Sequence, residues 1–170
     1  FPNVTLDVHF VDSEQAHERV LAGELELAFL TLPPQGYDRL RYVTIWNDPL
    51  VFVAAPFHPL ANQKDLQLED LTLYPSLLPA AQTYTSQITL AEFEKRGLKP
   101  KISMSNNPLE SIRMLASIGL GWSVLPKTLL NQDLQQLDIN FEMNRQLGMV
   151  WHPGRTQSKA VLELIKMMNG

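Results

Sequence analysis

Between Lys101 and Pro126 the sequence spells out a complete strand, helix and strand, with a chemical signal at each boundary. Lys101-Ile-Ser-Met-Ser105 reads as a strand. Asn107 then serves as a helix N-cap, Pro108 takes the first helical position, and Glu110 stands three residues after the cap, a variant of the capping box. Leu109, Ile112, Leu115 and Ala116 make one apolar face at helical spacing, and Gly119 stops the helix where a left-handed residue is wanted. Trp122-Ser-Val-Leu125 is a second short apolar run, closed by Pro126. Such a unit predicts a parallel α/β layer, in which ligands gather at the strand-to-helix turns.

A chain of 170 residues can bury a real core, as one domain or as two small lobes. With 45% hydrophobic and 19% charged residues, and no apolar stretch able to span a bilayer, a soluble protein without a membrane partner is expected. The net charge of −4 and a pI near 5.5, with no Lys or Arg cluster, leave this segment no electrostatic footprint for a nucleic acid. The absence of cysteine removes disulfides, thiolate catalysis and zinc fingers, and fits the cytoplasm. The chain opens at Phe1-Pro-Asn-Val without methionine, so an upstream part is expected.

Catalytic and cofactor patterns are missing. His9, His17, His58 and His152 have no metal-ligand spacing, no Gly-x-Ser-x-Gly is present, and Gly119-Leu-Gly121 lacks the third glycine of a nucleotide fingerprint. Neither an enzyme nor a bound cofactor or metal is expected.

Elsewhere Val4, Leu6, Val8 and Phe10 alternate with polar residues and predict an opening strand. A short helix follows from the Asp12-Ser13 cap to Gly23, with Ala16 and Val20 on one face. Leu25 to Leu32 is apolar enough for a strand covered on both faces. Arg41 to Trp46 is a third strand, which Asn47-Asp-Pro49 interrupts before Leu50 to Ala55; that break marks a crossing between lobes. Leu66 to Leu73 holds a helical turn, Ser76 to Leu78 a short apolar run, and Thr83 to Ser86 the cap of a helix running to Arg96 and stopped by Gly97. Beyond Pro126 a polar surface segment leads to a weak strand ending at Phe141, a return crossing at Arg145-Gln146, a last strand over 147–151, and a helix from about Thr156 to Met168. Residues 1–46 plus 147–170 then form one lobe and 47–146 the other, joined by two strands with a cleft between them.

Five stretches in this order resemble the effector-binding domain of LysR-type transcriptional regulators: Phe1-Pro-Asn-Val-Thr-Leu6, Leu21-Ala-Gly-Glu-Leu-Glu-Leu-Ala28, His58-Pro-Leu-Ala61 with Leu68-Glu-Asp-Leu71, Gly119-Leu-Gly-Trp-Ser-Val-Leu-Pro126, and the closing helix. The resemblance covers most of the chain. It implies a two-lobed fold of the periplasmic-binding-protein type 2 class, with two hinge strands, that senses a small metabolite in its cleft. DNA would be met only through an N-terminal helix-turn-helix that this sequence lacks. The first strand and helix of lobe I, which precede Phe-Pro-Asn-Val in the family, are also missing, so a fragment is expected, with a strand-swapped truncated domain as the alternative. The resemblance further implies an antiparallel homodimer through the helices near 13–22 and 108–118, and tetramers in full-length proteins. A solute-binding protein of a transporter is the rival on the same fold.

Effector contacts in the family come from turns facing the cleft. Thr31, at its strand's end, is one candidate, unless it only caps the turn before Pro33-Pro34. Thr83, Tyr84, Thr85 and Ser86 set four hydroxyls at a helix start, where free N–H groups and the positive end of the helix dipole suit a carboxylate or phosphate. Asn106, beside the cap Asn107, and Trp122, which either stacks on a ligand or is a core indole, complete the set. The effector expected from these groups is a small anion such as a carboxylic acid.

Overall fold

The computed structural model describes residues 4–105 and 108–169. Contacts divide the chain into one unit of Phe1–Asn47 with Gln146–Gly170 and a second of Asp48–Arg145.

In the first unit the helix α1 (Ser13–Ala22) starts after Asp12 and ends at Gly23, whose φ of 79° is the left-handed turn that the leucine-alanine-glycine sequence calls for. Ala16 and Val20 pack on Ala28 and Leu30 of the strand β1 (Leu27–Thr31), with Leu32, Leu40 and Val150 completing the core. These seven described residues form a core because one helix face of period 3.6 meets one strand face of period 2. A long strand β2 (Arg41–Ala54) begins in this unit, and β7 (Met143–Trp151) ends in it, antiparallel to β1 with Thr31 opposite Leu147. The closing helix α5 (Lys159–Asn169) is capped by Ser158, whose N–H and hydroxyl both donate to the Glu26 carboxylate.

The second unit carries the parallel layer. Its strand β3 (Pro75–Leu78) lies between β4 (Lys101–Ser105) and β5 (Trp122–Pro126), parallel to both, and β5 runs antiparallel to the Leu50–Val53 part of β2. A two-residue strand β6 (Gln135–Gln136) also pairs with β2. Alternation along β2 sends Phe52 into one core and Val51 with Val53 into another. The helices α2 (Leu68–Leu71) and α3 (Tyr84–Glu94) serve the first core through Leu71 and Phe93, and α4 (Leu109–Ser117) serves the second through Ile112 and Ala116. Gly121 owes its place to packing: a Cβ there would lie 2.5 Å from the Pro75 carbonyl oxygen.

Several sequence expectations are corrected. Residues 4–12 form no strand, and Leu6 and Phe10 are 77% and 95% exposed. Alternation prepares a strand, but a strand also needs a hydrogen-bonding neighbour, and no described strand pairs with this segment. β1 is not covered on both faces throughout, since Phe29 is 49% exposed, although Thr31 on the same face is buried. The break expected at Asn47-Asp-Pro49 is absent: β2 runs unbroken through it, because proline's fixed φ suits an extended strand and costs it only one donor. Arg145-Gln146 likewise lies within the continuous strand β7. Pro108 occupies the cap position rather than the first helical one, with extended ψ of 113°, and Asn107 lies outside the described residues.

His58 adds a pH dependence. Its Nδ1 accepts the Leu60 N–H, its ring meets Tyr74 edge to face, and burial holds its pKa below the ordinary histidine value. A base weakened by folding stabilises the fold above its unfolded pKa of about 6.5, and that contribution is lost as pH falls toward the lower folded value. His58→Asn keeps an acceptor without the titration. Denaturant unfolding between about pH 7.5 and about pH 5 should therefore show a steeper acid-side loss in the wild type than in the variant. Parallel profiles would contradict this assignment.

Candidate functional site

The opening turn of α3 gathers most of the polar groups expected to bind. Thr83 is the N-cap: its Oγ1 accepts the Ser86 N–H and donates to the Ala80 carbonyl, so its hydroxyl is consumed by local structure. Ser86 is fully buried and donates to the Pro79 carbonyl, which ties the helix to the end of the preceding loop. Tyr84 is buried as well.

Thr85 differs from its neighbours. Its hydroxyl oxygen accepts from Nη1 of Arg145 at 3.2 Å, while neither its hydroxyl proton nor its main-chain N–H has a partner among the described residues. Nε of Arg145 in turn donates to the Asp48 carboxylate at 2.8 Å, and the two side chains are only 13% and 10% exposed. Two donors thus stand unspent at a helix N-terminus, next to a guanidinium whose charge is matched by a carboxylate. Such an arrangement can hold an oxygen-rich acceptor.

The other expected residues fall out differently. Thr31 is buried at the end of β1; its N–H donates to the Ser13 hydroxyl, and its own hydroxyl has no partner among the described residues. Asn106 lies outside the described residues. Of the two readings left open for Trp122, the structure shows the core indole and not the stacking surface. The indole is 0% exposed, sandwiched near Phe52 and Phe93, and its N–H donates to the Leu71 and Tyr74 carbonyls, so no face is left for a ligand. Asp48 and Arg145 were missed as a site: they stand 97 positions apart, and their only trace in sequence is one charge in each crossing segment.

The model of the LysR substrate binding domain matches residues 1–170. The chain belongs to the LysR substrate-binding domain family. Among curated relatives, the transcriptional regulator CysB of Haemophilus influenzae is 30% identical over 148 residues, which is 81% of this chain and 44% of that protein. AlsR of Bacillus subtilis, also a transcriptional regulator, is 26% identical over 152 residues, 84% of this chain and 50% of that protein. The chain spans about half the length of these curated relatives. Among solved structures, the regulatory domain of Synechocystis CcmR in complex with 2-PG superposes with a TM-score of 0.86 at 22% identity, over 99% of this chain and 83% of that one. The effector binding domain of QuiR in complex with shikimate gives 0.83 at 18%, over 93% and 77%. The LysR domain therefore has the periplasmic-binding-protein type 2 fold, and its relatives are regulators, which sets aside the transporter reading. No described helix of this LysR domain is long and apolar enough to cross a membrane.

Proposed function

We propose that this LysR domain is the ligand-sensing part of a DNA-binding transcriptional regulator, binding a small oxygen-rich solute without transforming it. The observation that carries the reading is Thr85, which offers an uncommitted N–H and hydroxyl proton at the start of α3 beside Arg145. Thr31, whose hydroxyl has no partner among the described residues, is the candidate contact of the first unit, and each unit serves as one effector-binding lobe. The CcmR and QuiR domains, solved in complex with 2-PG and with shikimate, support this solute class, since each holds a small molecule in a domain of this fold. A solute that prefers one conformation or one arrangement of copies shifts the DNA-binding part of the full-length protein by the difference in its affinities.

Titration calorimetry of the purified chain with 2-PG, shikimate and small carboxylic acids tests it. Thr85→Val and Thr31→Val each weaken binding of the accepted solute by about tenfold or more, the cost of one hydrogen bond to a charged acceptor. Unchanged affinity in both variants would remove these residues from the site.

The domain also pairs with a second copy, through α1 of one and α4 of the other, as the family resemblance implies. Exposed Met114 on α4 and Ile118 just beyond it support this face, which would otherwise keep apolar surface in water. Met114→Glu should shift the sedimentation coefficient toward a monomer; no change would point to another face.

A further inference from the structure

We propose that Arg145 is a clasp: through it the first turn of α3 is fastened to the two strands by which the chain enters and leaves the second unit, so that a displacement of that turn reaches both strands at once. The clasp itself needs no solute. Only the use made of it, relaying solute uptake at α3 to the rest of a regulator, rests on the site reading just given.

Three elements distant in sequence meet at one side chain. Asp48 lies on β2 and is the first residue of the second unit; Arg145 lies on β7 and is its last. Nε of Arg145 donates to the Asp48 carboxylate at 2.8 Å, and Nη1 donates to the Thr85 hydroxyl oxygen at 3.2 Å. A guanidinium is planar, and with two of its nitrogens held by different elements the plane is not free to swing. Burial strengthens the hold. Arg145 and Asp48 have side chains only 13% and 10% exposed and Thr85 is buried, so water is a poor substitute for any of the three partners.

The neighbouring hydroxyls tie the turn differently. Thr83 and Ser86 donate to the Ala80 and Pro79 carbonyls, in the stretch of chain just before the helix, so they hold the turn to its own approach. Phe93 anchors α3 in the core more than two turns further along, whereas the Arg145 bond reaches the near end. No described hydrogen bond joins Asp48 to α3. A hydrogen-bonded effect of Asp48 on the helix start therefore has to pass through the arginine.

Amide hydrogen exchange of the purified chain without any solute tests the clasp. The probes are the Ser86 and Gln87 N–H groups, which bond to the Thr83 side chain and carbonyl, read against amides of the buried strand β5 so that a change in global stability cancels. Asp48→Asn keeps the shape of the partner but loosens its hold on Arg145, and should speed exchange of both probes by about tenfold or more relative to β5. Thr85→Val cuts the other contact and should do the same, while Thr85→Ser, which keeps the oxygen, should not. In Asp48→Asn with Thr85→Val the two effects should not multiply, because either change alone already opens the clasp. Should Asp48→Asn fail to fold, Asp48→Leu with Arg145→Met takes its place in the cycle with the same expectation. Effects that multiply, or probes unmoved by the change at residue 48, overturn the clasp whatever calorimetry finds. A chain that takes up no solute while the exchange cycle behaves as expected overturns the site reading and the relay, and leaves the clasp standing.

Discussion

Trp122→Ala lowers the stability of the protein by about 3–5 kcal/mol in denaturant unfolding, the range for truncating a large aromatic in a packed interior. Two losses combine. The indole lies nearly parallel to Phe93, with ring centroids 5.7 Å apart, and 5.9 Å from Phe52, so its removal opens a void between aromatic rings on β2 and α3 that cannot collapse without moving both elements. Its N–H also serves the Leu71 and Tyr74 carbonyls at the end of α2; both lose that donor, although the Leu71 carbonyl keeps the Tyr74 N–H. Trp122→Phe separates the terms: it refills most of the void but not the hydrogen bonds, and should cost roughly 1–2 kcal/mol. Fluorescence checks the assignment independently, since Trp46 is exposed and Trp122 fully buried, so the variant loses emission of the most apolar kind. A loss below about 1 kcal/mol for the alanine variant would mean that the indole is not the keystone of this core.

What was legible in the sequence is what is encoded locally. Gly23 and Gly119 stop their helices at φ of 79° and 85°, Thr83 caps α3, and Glu92 meets Arg96 one turn on, all within a few residues of chain. The parallel layer followed from the same kind of signal, because a strand, a capped helix and a strand in series leave few other topologies. Residues 4–10 show the limit. Their alternation is as clean as any in the chain, yet a ladder partner is supplied by tertiary structure and not by the segment itself. Pro49 misled in the opposite sense, since punctuation rules weigh its missing N–H but not the strand geometry its ring permits.

The site divides along the same line. Four hydroxyls at a helix start could be read from sequence, and the structure then sorts them: Thr83 and Ser86 are spent on local carbonyls, while the Thr85 oxygen accepts from an arginine on β7 and its proton goes to no described residue. That arginine and its carboxylate could not be paired from sequence, because a contact spanning 97 positions has no periodicity to betray it. Trp122 was undecidable for a related reason. An indole beside a strand exit looks the same whether its ring faces ligand or Phe93, and only the packing tells.

Removing Asp48 is the second large effect. Asp48→Ala strands the Arg145 guanidinium in a setting with little water, and an uncompensated buried charge costs about 3–5 kcal/mol, far more than the net worth of the pair. The asymmetry is what makes the experiment informative. Replacing both members with apolar residues of similar volume, Asp48→Leu with Arg145→Met, removes the two desolvation penalties together and should return stability to within about 1–2 kcal/mol of the wild type. The pair would then be kept for what it does at Thr85 rather than for holding the second unit together, because an apolar replacement packs as well but donates nothing to that hydroxyl. A double variant as unstable as Asp48→Ala would instead make the ion pair a structural necessity of the crossing strands, and equal stability of Asp48→Ala and wild type would show that water reaches Arg145 freely.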